Sequence, residues 1–152
     1  MTKVYVETSA LGFYFDDRSP RERDAVRALL ARIERGELEG LTSEATLDEV
    51  REAPSALATR LLEVLERTGV RVVGVSREAE ELAEAYLAAG IIPRTFENDA
   101  VHVAVSVLSG VDVIASNNLK HLANYRAVES VNNLNRGRGL SPIDIRTPEA
   151  LL

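Results

Sequence analysis

Four oxygen-bearing side chains stand far apart in this sequence, each just after a predicted strand or on a predicted helix: Glu7, Glu49, Asp99 and Asn118. Carboxylate and amide oxygens are ligands for hard cations, and Mg²⁺ in proteins typically keeps several waters beside one or two carboxylates. Carboxylates repel one another, so a site that gathers them from separate segments needs a cation. The residue types therefore predict a metal-dependent phosphodiesterase site.

Glu7 and Asn118 follow predicted strands. Glu7 closes the apolar strand at 4–6, and Asn118 follows the strand at 112–115. In open sheets of parallel strands, ligands bind outside the carboxyl ends of the strands. We therefore expect these two side chains at one edge of the sheet.

Glu49 and Asp99 lie on predicted helices. Ser43 is the predicted N-cap of the helix that carries Glu49, which follows a short strand at 41–42. Asp99 is predicted to begin the apolar helix at 99–104, where an unpaired buried carboxylate would be costly. Both acids also fit simpler roles, Glu49 on a solvated helix face and Asp99 at a helix N-terminus, where the helix dipole favours an acid.

Strands and amphipathic helices alternate along the whole chain. Further helices are predicted at 20–34, 57–65 and 76–87, and a further strand at 70–73. This alternation is typical of βαβ units, and therefore of a mostly parallel sheet that helices cover on both faces. The sequence predicts a single α/β domain over residues 1–152.

Composition excludes several classes of protein. With no cysteine, neither a disulfide framework nor a zinc site held by sulfur can form. The N-terminus lacks the pattern of a signal peptide, and no apolar run approaches the ~20 residues that span a bilayer. These features predict a protein of the cytoplasm without a membrane segment.

The formal net charge of −6 argues against a protein that clamps nucleic acid by broad electrostatic attraction. A nucleic-acid substrate must therefore be bound locally. The Lys120-His121 pair and the segment 135–139 could contact phosphates, although each is also typical of an ordinary solvated loop.

The order and spacing of several segments resemble the PIN domain, a small α/β nuclease fold common among the toxin halves of bacterial and archaeal toxin–antitoxin pairs. The likeness runs nearly end to end. It rests on the residues at 4–11, 42–50, 98–104, 110–122 and 143–148.

The resemblance implies a hydrolytic ribonuclease in which Glu7, Glu49, Asp99 and Asn118 hold one or two Mg²⁺ or Mn²⁺ ions. Two of the four positions depart from the family pattern, which has Asp at position 7 and often Asp at position 118. Glu7 keeps the charge on a side chain one methylene longer. Asn118 keeps an oxygen ligand and loses the charge, as does one branch of the family.

Four further side chains are predicted to donate hydrogen bonds to the carboxylates or to a metal-bound water, as metal sites commonly require. They are Thr8, Ser9, Ser116 and His102. His102 falls one turn after Asp99 and also fits a partly buried histidine of the core. A serine nucleophile has little support, because the chain has only two histidines.

The sequence thus predicts a Mg²⁺- or Mn²⁺-dependent endoribonuclease that cuts RNA, with an antitoxin as possible partner and a homodimer favoured by its apolar N-terminal helices. The alternative is a catalytically degenerate PIN-like module that binds protein or RNA, which Asn118 keeps open. A phosphatase of the haloacid dehalogenase type is disfavoured. Such a phosphatase has a nucleophilic Asp at the first strand and a second Asp two residues later, whereas this chain has Glu7-Thr8-Ser9 there.

Overall fold

Five short strands form one parallel sheet in the computed structural model, which describes residues 1–152. The strands are β1 (Lys3–Val6), β2 (Glu39–Ser43), β3 (Arg71–Val73), β4 (Val113–Ala115) and β5 (Asp144–Arg146). Their order is β3-β2-β1-β4-β5, and every neighbouring pair is parallel. The chain builds outward from β1 first on one side and then on the other. The strand order therefore reverses at β1, which is where open α/β sheets bind ligands.

Seven α-helices connect and cover the strands. They are α1 (Thr8–Leu11), α2 (Pro20–Glu34), α3 (Glu44–Arg51), α4 (Ser55–Thr68), α5 (Arg77–Ala88), α6 (Glu97–Leu108) and α7 (Tyr125–Gly137). Short 3₁₀ turns occupy Arg94–Phe96 and Glu149–Leu151. None of the helices combines the length and the apolar character needed to cross a membrane.

The alternation of side chains along β1 divides the core between the two faces of the sheet. Tyr5 belongs to a buried cluster with residues of α5 and α6, whereas Val6 belongs to a cluster with residues of α1, α2 and α4. Successive side chains of a strand point to opposite faces, so this division follows from the pleat. The prediction of a mostly parallel sheet between helices is confirmed.

Two local expectations need correction, and one short helix was not expected. Helix α6 begins at Glu97, so Asp99 lies in its first turn and does not start it. The segment 135–139, expected to be a basic loop, continues α7 as far as Gly137. Short α1, which the apolar pattern does not predict, begins directly after Glu7, whose side chain caps it by accepting a hydrogen bond from the Ser9 backbone N–H.

Candidate active site

Glu7 lies at the carboxyl end of the central strand and is almost completely buried, with 3% of its surface exposed. Its Oε2 accepts hydrogen bonds from the backbone N–H of Ser9 at 3.0 Å, from the Ser9 hydroxyl and from the Ser116 hydroxyl at 3.0 Å. Burial raises the pKa of Glu7, and the charge of His102 and these hydrogen bonds offset only part of that rise. The fold therefore holds this carboxylate in place without fully compensating its charge.

Glu49 is the acid of α3 that faces the site. Its Oε1 accepts hydrogen bonds from Thr8 Oγ1 at 2.9 Å and from His102 Nε2 at 2.5 Å. Neighbouring Asp48 and Glu52 are exposed, so the helix turns only Glu49 inward. Burial raises the pKa of Glu49, but the hydrogen bond and charge of His102 outweigh it, and the net shift is downward.

His102 is fully buried at the centre of the cluster and bridges two elements. Its Nε2 faces Glu49, and its Nδ1 lies 2.6 Å from the hydroxyl of Tyr5, which in turn lies 2.7 Å from Ser43 Oγ. Burial lowers the pKa of His102, but Tyr5 and the carboxylates of Glu49 and Glu7 raise it to about 10. The net effect favours the protonated form of His102, whose ring contacts Glu49.

Asp99 and Asn118 contact each other. Asn118 Nδ2 donates a hydrogen bond to Asp99 Oδ2 at 3.1 Å, and His121 Nδ1 lies 3.4 Å from the same oxygen. Burial raises the pKa of Asp99, which Asn118, His102 and His121 partly offset. Asn118 Oδ1 accepts the backbone N–H of His121 at 3.1 Å, and this bond fixes which end of the amide faces Asp99.

Asn118 thus presents its nitrogen to Asp99 and its oxygen to the backbone. The oxygen that the sequence offers as a metal ligand already accepts a hydrogen bond in a turn. In this arrangement Asn118 positions Asp99, and its role as a metal ligand stays a prediction.

Hydroxyl groups join the loop after β4 to the segment after β1. Ser116 Oγ bonds Glu7 and accepts the backbone N–H of Asn118 at 3.0 Å. Ser9 Oγ accepts the backbone N–H of Asn117 at 2.9 Å and lies 3.2 Å from Ser116 Oγ. One hydrogen-bonded network therefore reaches from Glu7 through Ser116 to Asn118, and from Asn118 to Asp99.

The four side chains predicted for hydrogen bonding all contact an acid of the site: the two serines bond Glu7 in this network, whereas Thr8 and His102 bond Glu49 in a second one. The sequence argument missed Tyr5 and the contact of His121 with Asp99. The role of Tyr5 could have been predicted, because the hydroxyl of a tyrosine buried in a strand of valines needs a hydrogen-bond partner.

No group of three or more Asp, Glu and His side chains is arranged so that it could hold a metal ion as it stands. The donor chemistry nevertheless fits a hard cation. All protein hydrogen bonds to the three acids go to one oxygen of each carboxylate, namely Glu7 Oε2, Glu49 Oε1 and Asp99 Oδ2. The second oxygen of each accepts none and is not sealed from solvent. Three carboxylates, each with one anchored and one free oxygen, suit Mg²⁺ or Mn²⁺.

The family model of the PIN domain matches residues 4–127, which cover most of the sequence. The chain therefore belongs to the PIN domain family. Among proteins with curated sequences, none matches it.

Two solved structures share the fold. The VapC20 toxin of Mycobacterium tuberculosis, described as cleaving the sarcin–ricin loop, has a TM-score of 0.59 at 20% identity, covering 78% of this chain and 92% of that one. VapBC2 from Rickettsia felis, bound to a DNA fragment from its promoter, has a TM-score of 0.56 at 12% identity, covering 96% and 98%. At these identities both comparisons show a shared fold alone.

Proposed function

We propose that this protein is a divalent-metal-dependent endoribonuclease and the toxin of a toxin–antitoxin pair. The observation that carries the proposal is the set of three acids at the carboxyl edge of the sheet, Glu7, Glu49 and Asp99, each with one free carboxylate oxygen. Membership of the PIN domain family and the fold shared with a sarcin–ricin loop cleaving toxin support the same reaction class.

In this proposal the free oxygens of Glu7, Glu49 and Asp99 hold Mg²⁺ or Mn²⁺. A bound cation of this kind polarises a phosphoryl oxygen and lowers the pKa of a coordinated water. The hydrogen bonds from Ser9, Ser116 and Thr8 fix the orientation of the acids, and outer partners of this type commonly tune metal affinity. Asn118 and His121 contact Asp99 at Oδ2 and hold it in position, which leaves Oδ1 for the cation.

An antitoxin partner, a homodimer and a cytoplasmic location belong to the same proposal. The fold shared with VapBC2, whose structure includes promoter DNA, supports a partner that also binds DNA. The net charge of −6 leaves the protein itself poorly suited to bind promoter DNA, so we assign that role to the partner.

Asp99→Asn tests the metal site directly. The substitution removes one charge, keeps the shape and can still accept the hydrogen bond from Asn118. We expect Mn²⁺ binding, measured by calorimetry, to weaken by more than the roughly 10–100-fold that loss of an outer partner costs. Metal-dependent cleavage of RNA should be lost while the thermal midpoint in EDTA does not fall, because burial already disfavours the ionised Asp99.

The matched control is Asp48→Asn, which makes the same chemical change on the exposed face of α3, where Asp48 pairs only with Arg51. This variant should bind Mn²⁺ and cleave RNA like the wild type. Wild-type cleavage by the Asp99→Asn protein would refute the assignment of Asp99 and with it the proposed site.

A catalytically degenerate module is the second candidate, and one observation favours it. The nitrogen of Asn118, a hydrogen-bond donor, faces Asp99, and its oxygen, the expected fourth metal ligand, already accepts the backbone N–H of His121. Calorimetry of the wild type separates the two candidates. Absence of Mn²⁺ binding, together with retained binding of RNA or of a protein partner, would favour the module over the enzyme.

A further inference from the structure

A cavity of about 350 Å³ opens between the segment that follows α5 and the start of α7. Its lining includes Lys120, His121 and Arg126 and contains no Asp or Glu. In a chain with a formal net charge of −6, a cavity lined only by basic, polar and apolar side chains is a local exception. Its charge fits an anionic ligand.

The two permanent cations of this cavity are unpaired. Neither Lys120 nor Arg126 forms an ion pair, and no hydrogen bond involves either side chain, whereas Arg94, near the cavity, is paired with Glu84. Both side chains are exposed, so their donors face solvent. Phosphate is a natural partner for such groups, because charge-assisted hydrogen bonds are the strong ones.

The backbone beneath these cations is held rigidly. Asn124 Nδ2 donates to the carbonyl oxygens of Leu119 at 2.8 Å and Lys120 at 3.2 Å, and Asn124 Oδ1 accepts the backbone N–H of Ala127 at 2.8 Å. One side chain thereby fastens the loop to the first turn of α7. The cavity is formed before any ligand binds, which lowers the entropic cost of binding.

His121 connects the cavity to the acidic site. It lines the cavity, lies 3.4 Å from Asp99 Oδ2 and packs against Phe96 with ring centroids 4.2 Å apart. The ring of Phe96, which packs on His121, is unusually exposed for a large apolar side chain, at 45%. Exposed rings beside unpaired cations are the features with which proteins bind single-stranded nucleic acid.

We propose that this cavity binds a nucleotide of single-stranded RNA next to the scissile phosphate, with Lys120 and Arg126 on its phosphate and the ring of Phe96 against a neighbouring base. The volume suits a small-molecule-sized group. His121 lines the cavity and also contacts Asp99. An RNA strand bound in the cavity therefore lies next to the acidic site. The inference gives the proposed nuclease a local means of binding RNA despite its net negative charge.

The test measures binding without cleavage. A fluorescein-labelled single-stranded RNA decamer of mixed sequence is titrated with protein in EDTA and followed by anisotropy at several KCl concentrations. Removing both cations, Lys120→Ala with Arg126→Ala, should weaken binding about tenfold or more. The slope of log K against log[KCl] should fall by about 0.7, because both side chains bind one phosphate and each phosphate neutralised on a single strand contributes about 0.7.

The matched control removes two positive charges elsewhere, by Arg18→Ala with Arg77→Ala. Both side chains are more than nine-tenths exposed. Arg77 starts α5, about 17 Å along the helix from its cavity end. This control should change RNA affinity less than twofold. Phe96→Ala should weaken binding about fivefold or more with an unchanged salt slope, since it removes stacking and no charge.

The outcomes separate this inference from the proposed function. Wild-type protein that binds RNA through Lys120 and Arg126 and does not cleave it supports the inference and refutes the nuclease. Cleavage with an unchanged KM and unchanged RNA affinity in the double variant overturns the inference alone. A double variant that loses affinity for a protein partner, with its RNA affinity intact, also overturns it and assigns the cavity to that partner.

Discussion

The three acids of the candidate site differ in how the fold treats their charge. Burial raises the pKa of Glu7 and of Asp99, and the hydrogen bonds that each accepts do not offset that rise completely. At Glu49 burial acts in the same direction, but His102 reverses the net shift. At Glu7 and Asp99 the fold therefore disfavours the ionised carboxylate, a cost of desolvation that a bound cation would offset.

Glu7→Gln is expected to stabilise the metal-free protein at neutral pH. The folded-state pKa of Glu7 lies above its ordinary value of 4.5, so the fold favours the protonated form. The stability that protonated Glu7 contributes is lost as the pH rises through the folded-state pKa. Glutamine mimics the protonated form, and its oxygen can accept the bonds from Ser9 and Ser116. Urea unfolding in EDTA should show a gain of about 1 kcal/mol at pH 7.

The pH dependence and the metal supply the checks on this prediction. The gain should shrink as the pH falls towards 4.5, because wild-type Glu7 then becomes protonated itself. Mn²⁺ should stabilise the wild type and leave the Glu7→Gln protein nearly unchanged. A destabilised variant in EDTA at pH 7 would mean that the charge of Glu7 is already compensated by the protein.

At the level of residues, the sequence predicts the acids better than their contacts. Glu7 and Asp99 stand out because each borders an apolar strand or helix, whereas Glu49, on a helix with other acids, is indicated only by the resemblance to the PIN domain. The orientation of Asn118 could not be predicted, because it depends on a backbone N–H three residues later. The contact of His121 with Asp99 joins residues 22 positions apart and needs the folded loop.

At the level of elements, the site is assembled from β1, α3 and α6 through one hydroxyl. Tyr5 on β1 lies within hydrogen-bonding distance of His102 on α6 and of Ser43, which caps α3 by accepting the backbone N–H of Ala45 at 3.2 Å. His102 then contacts Glu49 on α3. The position of Glu49 therefore depends on all three elements.

Tyr5→Phe is expected to lower the free energy of unfolding by about 1–3 kcal/mol, since it leaves His102 Nδ1 buried without its partner. The ring remains, so the apolar packing of the core is kept. Because His102 loses the bond that fixes its orientation, RNA cleavage should also fall. Urea unfolding and initial rates at saturating Mn²⁺ measure the two effects.

Tyr14→Phe is the control for this change. The Tyr14 hydroxyl accepts a hydrogen bond from Arg67 at the surface, at 2.8 Å, so its loss should cost under ~0.5 kcal/mol. Equal effects of the two substitutions would show that the hydroxyl of Tyr5 has no special role in joining the elements.

The alternating strands and helices could be predicted because their apolar periods differ, and the parallel sheet follows from that alternation. Short elements could not. Helix α1 has four residues, too few for a periodic pattern, and its N-cap is the acid that the sequence assigns to the metal. The two glycines at 137 and 139 suggest a loop, yet α7 extends through Gly137, because Asn135 is fully buried and bonded to Tyr86.

At the level of the whole molecule, the two larger buried clusters lie on opposite faces of one sheet. One cluster packs α5 and α6 against Tyr5 of β1, and the other packs α1, α2 and α4 against Val6 of the same strand. Adjacent residues of β1 thus pack into the two clusters. Separation of β1 from the sheet would therefore remove packing contacts on both faces. The candidate metal site lies at the end of this strand, so a cation there should stabilise both faces together.

We therefore expect Mn²⁺ to protect both faces from amide hydrogen exchange by the same factor. At a Mn²⁺ concentration of about 100 times the dissociation constant, the native state gains about 2.7 kcal/mol, a factor of roughly 100 in exchange through global unfolding. The slowest-exchanging amides of α2 and α4 should respond like those of α5 and α6, whereas the Asp99→Asn protein should show no change on either face. Protection of one face alone would show that the two clusters unfold independently, and protection of neither would show that native protein binds no Mn²⁺.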